Sequence, residues 1–210
     1  MTTRLIYVMD PMCSWCWGFA PVARALAAQA ADQGVAMHLV VGGLRREQMA
    51  MDAAARQRTL GYWHAVHEAS GQPFDLEGGP PEGLVYDTEP ACRALVTARS
   101  FGEQLAWPLA MRIQQAFYVD RCDVTRPQQL AVLAEAAGLA RREFVDRFYS
   151  QAIRDATAAD FEWSRNLGIA GFPTLLAERG GQLALLTNGY QPFDTLKPLL
   201  ARWLEHNIHA

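Results

Sequence analysis

Apolar positions change their spacing twice along the chain. Leu5–Met9 is an unbroken apolar run bounded by Asp10-Pro11, and Val35–Val41 is a second run closed by Gly42-Gly43, so both read as buried strands. Between them lies the Ala-rich stretch Ser14–Ala31, where Val22, Leu26 and Ala30 share one helical face and Gly34 supplies the stop. Pro21 inside that stretch is expected to bend the helix. Together the three elements make a β-α-β unit with a parallel pair.

From Arg45 to about Ala159 the spacing is helical and no strand is expected. Leu105, Leu109, Ile113 and Phe117 repeat every fourth residue; Leu130, Leu133, Ala134 and Ala137 follow the same pattern, as do Phe144, Phe148 and Ala152. Thr88-Glu89-Pro90 and Thr125-Arg126-Pro127 are helix-start signals, and the longest loop is expected over Ser70–Tyr86. After a short helical stretch, Phe161–Leu167, strand spacing returns. Thr174–Ala177 and Leu183–Thr187 flank Gly180-Gly181 as a hairpin, and Pro192 opens a last helix with Phe193, Leu196, Leu199, Leu200 and Trp203 on one side. The fold class expected is α/β: β-α-β, a helical block, then β-β-α. The outer segments, 1–44 and 160–210, form one mixed sheet domain, and 45–159 is an inserted helical domain.

Composition narrows the function classes. The chain has 210 residues, half of them apolar, enough for a sizeable core, and a net charge of −3. Of its basic residues only Lys197 is a lysine, and the arginines are scattered rather than clustered, so nucleic acid is not an expected partner. Stretches free of charge such as Pro11–Ala23 are too short to cross a bilayer, and Leu5–Met9 is too short for the apolar part of a signal peptide. No membrane association and a cytoplasmic location are the expectations. Four cysteines, Cys13, Cys16, Cys92 and Cys122, do not make a disulfide framework in a chain of this size.

The chemistry concentrates at Cys13-Ser14-Trp15-Cys16, where a strand meets a helix. Structural zinc would need a second close pair of ligands, which Cys92 and Cys122 do not form, and two cysteines buried by coincidence are the other alternative. Unpaired N–H groups and the positive end of the helix dipole favour a thiolate at the first cysteine. On the redox reading Cys13 is the nucleophile. Cys16, one turn further on, is the resolving thiol that closes an intramolecular disulfide and releases the substrate.

Asp10-Pro-Met-Cys-Ser-Trp-Cys-Trp-Gly-Phe-Ala-Pro21, followed far downstream by Gly168-Ile-Ala-Gly-Phe-Pro-Thr-Leu175, resembles the thioredoxin superfamily. Within it, the chain is similar over essentially its whole length to the DsbA-like thiol-disulfide oxidoreductases of the predicted protein disulfide isomerase branch. The resemblance implies a thioredoxin-like fold with a helical insert and a cis peptide bond before Pro173. It also implies that Pro173 packs beside the dithiol and that the Phe172 backbone is free to pair with an extended substrate. Protein or small disulfides are the implied substrates, with glutathione or a thioredoxin-type reductant as partner and no bound cofactor. Ser14-Trp15 between the cysteines differs from the pairs in the best-known members, so oxidase, reductase and isomerase directions all stay open. A glutathione-dependent isomerase or transferase of the kappa class carries Ser where this chain has Cys13; a non-catalytic binding or chaperone module is the other alternative.

Further candidates have plainer readings beside them. Trp15, Trp17 and Phe19 form either an apolar substrate rim or packing for the helix. Asp10 either shuttles protons to Cys16 or fixes the turn as a cap. Cys92 and Cys122 are expected as separate thiols. His64 and His67 share a helical face but lack a third ligand, and His38, His206 and His209 make no better metal site, so no metal is expected.

Overall fold

The computed structural model describes residues 2–205. In chain order the elements are β1 (Thr3–Met9), α1 (Ser14–Ala31), β2 (Ala36–Val41), β3 (Arg46–Ala50), α2 (Ala53–Ser70), β4 (Val85–Asp87) and α3 (Glu89–Arg99). They continue with α4 (Ala106–Tyr118), α5 (Pro127–Ala136), α6 (Arg141–Phe148), α7 (Gln151–Asn166), β5 (Thr174–Arg179), β6 (Gln182–Asn188) and α8 (Phe193–Glu205). A 3-10 turn, Glu103–Leu105, precedes α4.

The main sheet runs β2-β1-β5-β6, with β1 parallel to β2 and antiparallel to β5, and β5 antiparallel to β6. This is the thioredoxin-like arrangement of the DsbA type, with helices inserted between β2 and β5. Leu5–Met9 is buried on both faces, as a central strand requires. Leu5, Tyr7 and Met9 join the large core under α1, whereas Ile6 and Val8 meet Val40, Leu176 and Trp163 of α7 on the other face. The sheet therefore ends β1 between two packed layers and delivers the next residues, Asp10 to Cys13, into the interior.

Helix α1 has the bounds its spacing predicts, and Val22, Ala23, Leu26 and Ala30 are its buried inner face. Full burial of a side chain the size of Leu26 contributes roughly 1.5–3 kcal/mol. Gly18 leaves room for α2: a Cβ there would lie 2.7 Å from Val66 Cγ1.

Several expectations change. The middle of the chain does contain strands: β3 and β4 pair antiparallel as a separate two-stranded sheet. All five residues of β3 are exposed and β4 has three residues, so neither offers an alternating apolar pattern. Ala152 does not continue the helix of Phe144 and Phe148; Ser150 caps a new helix by accepting from the Ile153 N–H at 3.3 Å. Phe161–Leu167 is not a short helix of its own, because α7 runs from Gln151 to Asn166 and so passes through the 159/160 boundary. In α8 the buried positions are Leu196, Leu200 and Leu204, while Leu199 faces outward. Among the described residues no helix is long and apolar enough to cross a membrane. His206 and His209 lie outside the described residues.

Candidate functional site

The turn after β1 is short: the Cys13 N–H returns to the Asp10 carbonyl at 3.0 Å. Cys13 is the N-cap of α1, with extended backbone, and its carbonyl accepts from the N–H groups of Cys16 and Trp17 at 3.0 and 3.1 Å. Its side chain makes no capping bond, which leaves the helix's first N–H groups and its positive end facing the sulfur. The Cys13 thiol instead donates across the chain to the Phe172 carbonyl, 3.5 Å away. The Phe172–Pro173 bond is cis.

That loop is seated by a missing side chain. A Cβ on Gly42, just past β2, would lie 2.0 Å from the Phe172 ring, so the ring fills the place a side chain would take. Pro173 is buried, and its carbonyl accepts from Gly189 N–H at 2.7 Å. The ends of β1, β2 and β5 thus meet at the two cysteines.

Both thiols are free, Cys13 at 6% exposure and Cys16 at zero. Burial pushes the Cys16 thiol well up, and the Cys13 sulfur and the Asp10 carboxylate add to the effect against the pull of the Asp10 N–H. Cys16 is held as a thiol until something deprotonates it.

Asp10 does not cap the helix. It is fully buried: Oδ1 accepts from the Met12 N–H at 2.8 Å, and Oδ2 accepts from the Leu44 N–H at 2.7 Å, Thr88 Oγ1 at 2.6 Å and Cys92 Sγ at 3.3 Å. Burial raises its carboxyl above the ordinary value, and the four donors offset part of that rise. Asp10 therefore fixes the turn and ties it to the β2–β3 loop and to α3. Tyr86 adds a fifth tie, its hydroxyl donating to the Met12 carbonyl at 2.5 Å. Sequence reasoning missed Leu44, Thr88 and Tyr86. Thr88 carried a visible signal as a helix start, but its hydroxyl serves Asp10 and makes no cap bond.

The aromatic rim divides. Trp15 is partly buried, 5.7 Å from Tyr190, and borders the cysteines. Trp17, expected to bind substrate, is only 4% exposed; its indole N–H donates to the Pro73 carbonyl at 2.8 Å and its ring stacks on Tyr118. Its bulk and its one donor are both used in packing α1 against the insert, whereas the fully buried Phe19 packs on Tyr7 of β1 and Tyr190. Cys92 is sealed on Asp10, whereas Cys122 is half-buried with Sγ 3.8 Å from the Asp120 carbonyl. His67 is bonded to the Gln72 carbonyl and His38 to Glu103. Among the described residues no group of three or more His, Cys, Asp and Glu is placed to hold a metal ion.

Comparison with known proteins gives matches over nearly the whole chain. Residues 4–201 match the model of the DSBA-like thioredoxin domain. The crystal structure of a "putative protein disulfide isomerase" from Nitrosomonas europaea superposes with a TM-score of 0.91 at 37% identity, covering 100% of both chains. The cytosolic disulfide reductase DsbM from Pseudomonas aeruginosa has a TM-score of 0.77 at 28% identity, covering 95% of this chain and 98% of that one. A second structure of DsbM is a form with GSH. The ClpXP adapter protein SpxH of Halalkalibacterium halodurans is 22% identical over 80% of this chain, which spans only 56% of that protein's length.

Proposed function

The chain belongs to the DSBA-like thioredoxin domain family, that of the DsbA-like thiol-disulfide oxidoreductases, and on that premise we propose that it reduces or rearranges disulfides through Cys13 and Cys16. The observation that carries this is the position of the Cys13 sulfur, at the head of α1 and 3.5 Å from the carbonyl that precedes cis Pro173.

In the first step the Cys13 thiolate attacks one sulfur of a substrate disulfide, forming a mixed disulfide and expelling the other sulfur as a thiolate. A thiolate has no proton to donate, so the Phe172 carbonyl is released and can accept from a substrate backbone N–H beside Trp15. Cys16 then gives up its proton and attacks the Cys13 sulfur, which frees the second substrate thiolate and leaves a Cys13–Cys16 disulfide. Two electrons have passed to the substrate. The raised Cys16 thiol makes the second step the slower one at low pH, because only its thiolate attacks. Pro173 keeps the loop against the sulfur without offering an N–H donor.

The reductase or isomerase direction is favoured by the 28% identity to a cytosolic disulfide reductase, and a cytoplasmic location goes with it. Glutathione or a thioredoxin-type dithiol restores the reduced form. The test is to trap the intermediate: Cys16→Ser should accumulate a mixed disulfide with glutathione on Cys13, read as a mass increase, and Cys13→Ser should accumulate none. Trapping on Cys16 in the Cys13→Ser variant would reverse the roles.

A further inference from the structure

Tyr7 lies in the middle of β1 and is fully buried. With Leu5 and Met9 it joins the core under α1, where its ring rests on Phe19 of α1, centroids 5.9 Å apart, and on Trp107 of α4, at 5.8 Å. Phe19 stands three residues beyond Cys16, so the two share one face of the helix. These ring contacts fix where the Tyr7 hydroxyl points. That hydroxyl is buried and has no hydrogen-bond partner among the described residues. The Cys16 sulfur lies beside it: burial above all, then the Cys16 and Cys13 sulfurs, hold the Tyr7 proton in place well above the ordinary tyrosine range.

A buried donor without an acceptor destabilises the fold that holds it, and a phenylalanine would fill the same space without that penalty. Tyr86 shows the ordinary solution close by, its hydroxyl donating to the Met12 carbonyl. The acceptor that Tyr7 lacks appears only when Cys16 loses its proton. A neutral thiol is a weak acceptor, whereas a thiolate is a charged one, and a hydrogen bond to a charged group is about twice as strong as one between neutral groups. The Cys16 thiolate has use for such a donor, because it forms out of water with the Asp10 carboxylate opposing it and the Asp10 N–H aiding it.

The geometry points to Tyr7 as a catalytic donor: its hydroxyl binds the Cys16 thiolate while that sulfur attacks the mixed disulfide on Cys13. This rests on the exchange chemistry proposed above and assigns a residue to its second step. Tyr7 keeps its own proton throughout. The proton lost by Cys16 passes to solvent, the substrate thiolate expelled from Cys13 takes one up, and the new Cys13–Cys16 bond leaves the hydroxyl unpartnered again. The hydrogen bond therefore lowers the barrier of resolution without stabilising the dithiol or the disulfide.

The titratable groups around the Cys16 sulfur are Cys13 on its own helix, Asp10 on the turn, Tyr7 on β1 and Tyr118 on α4. Stopped flow with dithiobis(nitrobenzoate), in a Cys122→Ala background that removes the partly exposed thiol, reads both steps in one trace. Attack by Cys13 releases a first coloured thionitrobenzoate, and resolution by Cys16 releases a second. Tyr7→Phe should slow the second release about tenfold and move its pH midpoint up by about one unit, while the first release changes by less than about twofold. Its urea midpoint should equal or exceed that of the parent, because no hydrogen bond is lost. Equal slowing of both releases, an unmoved pH midpoint for the second, or a lowered urea midpoint would overturn the assignment of Tyr7. A parent protein that makes the first release and never the second would instead overturn Cys16 as the resolving thiol.

Discussion

Cys16 and Cys92 are equally sealed from solvent, and burial pushes both thiols well up, yet the two are set to different ends. Cys16 faces a second sulfur, one helical turn from Cys13, so removal of its proton leads to a bond. Cys92 faces a carboxylate that already holds three other donors, so its proton is needed where it is. Burial alone does not separate a reactive thiol from a structural one; the partner does.

The largest effect that would break this comparison is on exchange itself. Cys13→Ser should lose disulfide exchange by roughly a thousandfold or more, since the attacking atom is gone. The Cys92→Ala/Cys122→Ala double variant should keep it within about threefold, measured as insulin reduction. A folded double variant without activity would make the second pair of thiols part of the electron path.

The next effect sharpens the contrast in stability. Thr88→Val removes a hydroxyl that donates to a buried carboxylate and should cost about 1.5–3 kcal/mol in urea unfolding. Cys92→Ala should cost less, because a thiol is a weak donor. The reverse order would mean that the sulfur packs rather than bonds.

The smallest effect is in pH. Burial holds the Asp10 carboxyl above its ordinary value, so the folded protein keeps a proton there that the unfolded chain has lost. From about pH 4, the ordinary carboxylate value, up to the raised one, the native state binds more protons and stability falls as pH rises. Above the raised value this contribution is constant. Asp10→Asn should remove that part of the slope, read as the difference in urea midpoint from the wild type between about pH 4 and pH 7. A difference independent of pH would mean that Asp10 ionises alike in both states.

What the sequence reveals here depends on how far apart the interacting residues are. Helix α1 is legible to the residue because its signals, an Ala-rich apolar stripe and a glycine stop, are local. The β5–β6 hairpin is legible for the same reason, and the cis bond before Pro173 follows from a family resemblance. Asp10 was singled out, but its partners Leu44, Thr88 and Cys92 lie 34, 78 and 82 residues away, and no spacing rule joins them. Trp17 looks the same in sequence whether it faces a substrate or Tyr118. Strand β3 has a polar, fully exposed sequence and exists because β4 pairs with it.

The Phe172 ring over Gly42 gives the β1–β2 ladder an additional consequence. Met9 pairs with Val41, and the Gly42 N–H extends the ladder to the Met9 carbonyl at 2.9 Å. A slip of one residue between these strands would move Gly42 by about 3.3 Å and put a side chain beneath the ring. The carbonyl before Pro173 would then be lifted off the sulfur. The hydrogen-bond ladder acts as a ruler, and the distance it measures is the gap between a thiol and the loop it faces.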